Sequence, residues 1–444
     1  MLFTDAHGLA LNTDQAASAA AYDRALALFN SLTLDPLAVM VPALEQDPDF
    51  IAGHQFVAAM MLSAADGQAL APARASLAAA AGSRRSPPAR ERSLQQALAA
   101  WAGGDMRGAS RLLDRHNIDH PRDLLALQLA HLGDLVLGQT AMLRDRIGRA
   151  LGAWSPQDAC YGYLLGMHAF GLEECGDYAR AEALGLRAVS LHADDAWAVH
   201  AVAHVYEMQG RVADGLRWLG HDTKAWMHDN ALGVHNHWHL ALMHLSNDDP
   251  SAALALYDCA MTPQAASMAM DLVDASALLW RLMLRGVDVG ARWSTLAACW
   301  QAQADWGSLA FNDLHAMLAF VGAGDAALVA LGADRIAAAA AQPGATPVWT
   351  GLAAPVCEAL IAFGQGRYAR SVALLLPVLA DTLPMGGSHA QRSVLFLTCA
   401  EAARRSGDTA LARALDGEAA ARRVEPASAQ RPVVQCTGHE LALG

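Results

Sequence analysis

The chain has 444 residues, 54% of them hydrophobic, which is enough for a large buried core and too apolar for a disordered chain. A formal charge of −13 with no clustered basic surface argues against nucleic acid and against an anionic membrane surface as partners. Seven cysteines scattered without a CxxC pair fit reduced thiols in a cytoplasmic protein and disfavour a cysteine-built zinc site.

Along the chain the pattern is helical almost throughout, because alanine is abundant and β-branched runs are few. The opening MLFTDAHGLALNTD lacks a basic stretch followed by an apolar one, so no secretory signal is expected. Residues 82–93, GSRRSPPARERS, form a polar, proline-containing break, and 342–347, QPGATP, form another; both are short enough to join repeats. Between them a helix-turn-helix order recurs around Gly176, Gly210 and Asp248, and it returns at Gly366 and Gly407. If Ala181 is the small residue opening the second helix of a tetratricopeptide repeat, Ala169, Ala203 and Ala241 hold the small position of successive first helices. Their spacings of 34 and 38 match that repeat's length. Ala97, Ala359 and Ala400 fit the same place, and Pro48 and Pro121 fit the proline that closes a second helix. The uncharged run 336–357 contains three prolines and reads as loop joined to helix rather than as a membrane span. The expected organisation is one continuous all-α superhelix over residues 1–420, followed by a tail or cap over 421–444.

The stretches WAVHAVAHVYEMQGR, HNHWHLALMHLSNDDPSAALALYD, DASALLWRL and FNDLHAMLAF, in that order, resemble the tetratricopeptide repeat protein 38 family. YDRALALFNSLTLDP and ALEQDPDF extend the resemblance, so that it covers residues from about 10 to 415. It implies an α-solenoid of tetratricopeptide-like helix-turn-helix repeats wound into a right-handed superhelix. It carries over no established reaction and no catalytic residues.

That fold also implies which positions of each first helix face the concave groove. With Ala203 at the small position, His200, His204 and Glu207 all face inward, and their i, i+4, i+7 spacing keeps them within about 60° on the helix wheel. On the helix wheel His235 and His239 lie about 40° apart, with His237 and His244 on the opposite side; the same register turns His235 and Trp238 inward and assigns His237 and His244 to packing between helices, so HNHWH divides into two sites. Tyr163, Phe170 and Glu173 join from the preceding repeat, Asp274 and Trp280 from the following one, and Asp313 and His315 from FNDLHAMLAF. The isolated histidines His54, His120, His131, His192 and His228 read as surface or satisfied core groups, and Trp197, Trp218 and Trp226 as core.

Two uses of this groove remain open. A histidine beside a carboxylate suits general acid–base catalysis, with His200, His204, Glu207 and Glu173 as the acting groups on a small molecule held by the aromatic residues. Two imidazoles and a carboxylate also suit a divalent metal; His200, His204, Glu207 and His235 would then be its ligands. Hydrolysis or proton transfer is the expected reaction class, and no nucleotide-cofactor motif is present in the sequence. The alternative is a protein-interaction scaffold, as a homo-oligomer or with another partner, in which the histidines are internal struts.

Overall fold

A computed structural model describes residues 3–33, 35–221, 226, 229–266, 268–303 and 307–422. The expected tail over 421–444 lies outside these residues except for its first two positions, which end the helix Thr409–Arg422, and His228 lies outside them as well. The described chain is all-helical apart from a two-residue strand pair, Phe3–Thr4 against Ala10–Leu11, and one isolated bridge. No described helix is long and apolar enough to cross a membrane.

Helices pack in sequence-adjacent antiparallel pairs because short turns reverse the chain. All five turns expected from the sequence share one backbone device. Gly176, Gly210, Asp248, Gly366 and Gly407 have φ between 56° and 82°, the left-handed region. The amide one residue further on reaches back five positions: Asp177 to Leu172 O, Arg211 to Tyr206 O, Asp249 to His244 O, Arg367 to Ala362 O and Asp408 to Ala403 O. These six-to-one bonds satisfy carbonyls that a helix end leaves open, and glycine reaches that conformation without a Cβ penalty.

The alanines behave as close-packing residues. Ala97, Ala169, Ala203, Ala241 and Ala359 are fully buried, and Ala181 with them. Helix Tyr161–Glu174 packs against Tyr178–Leu191 and Ala196–Met208, and Gly233–Ser246 against Ala196–Met208 and Ala269–Leu284. Residues far apart in sequence then meet. Gln68 donates to Gln303, Asn312 donates to the Ala65 carbonyl, and the His389 amide donates to Glu174. The turn at Leu383–Gly387 lies so close to Val136–Gly138 that a Cβ on Gly386 would stand 2.4 Å from the Val136 carbonyl oxygen. The late helix His389–Ser406 is thereby brought against the helix carrying His200 and His204.

Candidate metal centre

Helix Ala196–Met208 begins where Asp195 caps the Ala198 amide, and that start fixes His200 and His204 one turn apart on a buried face. Helix Gly233–Ser246 presents His235 and His239 at the same spacing. The four imidazoles meet where these helices pack, each at most 5% exposed, and a donor nitrogen from each lies within 4.8 Å of the others. His200 Nε2 and His235 Nε2 are 3.1 Å apart. Ring centroids of His204 lie 4.4 Å from those of both His200 and His239.

Carboxylates stand behind two of these rings. Asp274, from helix Ala269–Leu284, accepts from His235 Nδ1 at 2.9 Å, and Glu207 accepts from His239 Nδ1 at 2.9 Å. Each bond places the proton on Nδ1 and leaves the Nε2 lone pair free to face the other histidines. Burial favours neutral imidazole: it holds His200 and His239 well below the usual histidine range and His204 at about 4. Burial likewise raises Asp274 and Glu207, an effect opposed by the His235 and His204 charges respectively. Around neutral pH His200, His204 and His239 are therefore uncharged, nitrogen-donor rings. Among the described residues, His200 Nδ1, His239 Nε2 and both nitrogens of His204 have no hydrogen-bond partner.

The walls are aromatic. Phe170 packs 5.1 Å from His200 and 5.3 Å from His204, and Trp197 5.2 Å from His200. Trp238 stacks on His235, with the buried Arg281 guanidinium 5.2 Å from its ring. Arg281 spans two helices by donating to the Ala277 and Ala390 carbonyls, and burial lowers it to about 10.

At one side the last two residues of helix Tyr161–Glu174 enter the site. Glu173 Oε2 lies 3.4 Å from His204 Nδ1, yet neither Glu173 oxygen makes a hydrogen bond among the described residues. Glu174 receives the His389 amide at 2.9 Å, with Arg392 3.6 Å and His389 Nε2 3.5 Å away. Burial, reinforced by the Glu174 charge, raises Glu173 well above the usual carboxylate range.

The residues expected from the sequence thus separate. His200, His204, Glu207, Glu173, His235, Asp274 and Phe170 come together, with Trp238 forming the back of the His235 ring. Glu207 stands on His239 Nδ1, which puts it behind a ligand rather than among the ligands. Within HNHWH, His235 and His239 belong to the cluster and His237 does not. The helix wheel places His239 beside His235, but the repeat register keeps it out of the groove-facing set. His237 does not bridge helices through Nδ1, which bonds the Gly233 carbonyl of its own helix, and His244 is 4.0 Å from Asp249 at a turn.

Other expected residues lie elsewhere. Tyr163 stacks on His192 and reaches Asp194. Trp280 is fully buried; it donates to Thr398 and packs on Trp293 and Phe363, so it offers no face to a substrate at the cluster. Asp313 accepts from the Gly307 amide, and His315 Nδ1 bonds the Phe311 carbonyl. His131, read as an ordinary histidine, is 1% exposed and packs edge-on against Phe170 and Trp197. Nothing in its sequence neighbourhood marks that place. Trp218 and Trp226, read as core, line a cleft of about 460 Å³ together with Tyr206 and Arg211.

A cation fits the donor set. Metal–nitrogen bonds of about 2.1 Å at angles from 90° to tetrahedral place two ligand nitrogens about 3.0–3.4 Å apart, the range in which His200 and His235 stand. No protein-family model matches the chain, so the roles of these residues follow from their geometry alone.

Proposed function

We propose that the protein is a metalloprotein: a tetratricopeptide-like superhelix, akin to the tetratricopeptide repeat protein 38 family, that binds a divalent transition metal on His200, His204, His235 and His239. The observation that carries this reading is the buried four-imidazole cluster, in which His200 Nδ1, His239 Nε2 and both nitrogens of His204 lack a hydrogen-bond partner among the described residues. Neutral lone pairs brought this close repel unless a proton or a cation lies between them. A neutral ring's own N–H can bridge one such pair, as at His200 and His235, while burial disfavours the additional proton of an imidazolium on His200, His204 and His239. The Asp274–His235 and Glu207–His239 pairs support it further, since a carboxylate on the outer nitrogen orients a metal-bound imidazole and strengthens it as a ligand. An all-nitrogen set suits zinc, copper, nickel or iron and is poor for magnesium or calcium.

The reaction class proposed is hydrolysis or proton transfer on a small molecule. A metal so held lowers the pKa of bound water and polarises a carbonyl. The packing of helix His389–Ser406 against Ala196–Met208 and Ala269–Leu284 supports an enclosed site for a small molecule over an open groove for a peptide. The test is elemental analysis of the untagged protein, wild type against His239→Ala. Metal is expected in the wild type and lost in the variant while the helical circular dichroism is kept. A wild type that carries no transition metal and takes up none from micromolar zinc would sink the reading.

A further inference from the structure

The contact between Glu173 and His204 differs from the other two carboxylate–histidine contacts. Asp274 and Glu207 each make a hydrogen bond of 2.9 Å to an imidazole Nδ1. Glu173 Oε2 and His204 Nδ1 stand 3.4 Å apart without one. All four polar atoms of the pair, two oxygens and two nitrogens, are buried and lack a hydrogen-bond partner among the described residues. A donor oxygen of Glu174 lies within 4.8 Å of both.

The location makes this arrangement costly for protein groups alone. Glu173 and Glu174 end helix Tyr161–Glu174, where the helix dipole is negative and where a cation, not a carboxylate, is stabilised. Both are at most 4% exposed. The basic groups nearby, Arg392 and His389, are directed at Glu174. Among the described residues Glu173 has no ion-pair partner closer than the His204 ring, which its own burial keeps neutral. A buried carboxylate ordinarily has a counter-charge or hydrogen bonds.

We infer that Glu173, Glu174 and Nδ1 of His204 bind a second divalent cation beside the four-histidine one, so that the two share His204. The inference rests on the proposed metal centre. A spacing of 3.4 Å is long for a hydrogen bond but matches two ligands of a common cation, with metal–ligand bonds of about 2.1 Å. His204 then offers Nε2 to the first cation and Nδ1 to the second. Its remaining ring proton, together with any proton held on the buried Glu173 carboxyl, leaves to solvent as the second cation binds, so that uptake releases protons. The mixed carboxylate–imidazole set suits zinc, manganese or iron(II). Two cations joined in this way hold a substrate from two sides, the arrangement used for displacement at phosphoryl and acyl centres.

Stoichiometry tests the inference. The full chain is stripped with chelator, reloaded with zinc alone, desalted and analysed by plasma mass spectrometry. Two equivalents are expected in the wild type and one in Glu173→Gln. One equivalent in the wild type, or two retained in the variant, overturns the second site and leaves the first standing; none in the wild type overturns both. Copper(II) loading gives an independent readout that needs no variant. A shared imidazole couples the two spins, so the paramagnetic resonance signal should integrate to well under two spins per chain. Two full spins with two bound coppers would show separate, unlinked ions and overturn the shared His204.

Discussion

Asp274 shows how one residue shapes the candidate centre. It hydrogen-bonds His235, and its carboxylate decides which nitrogen of that ring carries the proton and therefore which one is available to a metal. Replacing it with Asn keeps the size and removes the charge. Metal affinity is expected to fall about 10- to 100-fold, as it does when such outer carboxylates are lost, with little change in thermal stability of the metal-free protein. Competition against a zinc chelator of known affinity would measure it, and unchanged affinity would show that Asp274 plays no part in metal binding. At this scale much of the site was legible. Helical spacing put His200, His204 and Glu207 on one face and His235 beside His239, but the assumed repeat register left His239 out of the groove-facing set. Trp280 was not legible, because spacing tells which way a residue points on its own helix but not what covers it. Thr398, which receives its indole N–H, is 118 positions away. His131 was hidden for the same reason.

Among the helices, what the sequence announced was the turns. Glycine or aspartate at a fixed distance from a small buried residue marked five reversals, and each adopts the same left-handed conformation with the same six-to-one bond. Local chemistry decides these turns, so a local reading finds them. The turn at Leu383–Gly387 obeys no such rule. It is set by distant backbone, where Gly386 at φ 85° lies against the Val136 carbonyl. Gly386→Ala would add both a strained conformation and a collision with main chain that has little room to move. A loss of roughly 3 kcal/mol or more is expected from those combined mechanisms, read as a lower urea midpoint. Gly176→Ala, where a Cβ meets open space, should cost only about 1 kcal/mol through its conformation. Equal losses in the two would mean that the Gly386 contact adds nothing.

For the whole molecule, the proposed ligands come from a short stretch of chain, but their enclosure depends on its far end. His200 to His239 span two neighbouring helix pairs, whereas the cover is helix His389–Ser406, docked through Glu174 and Arg281. Sequence periodicity described the first and had no means of describing the second, which depends on how the entire array turns.

The seam between His389 and Glu174 therefore has a kinetic meaning. An ion held in the proposed centre would be released as that helix swings away, so the seam would set a clock. Added chelator should speed release at low concentration and then reach a plateau equal to the opening rate, whatever chelator is used. Arg392→Ala, which removes the guanidinium beside Glu174, should raise that plateau. A release rate that rises without limit as chelator is added would mean that the ion is already in contact with solvent.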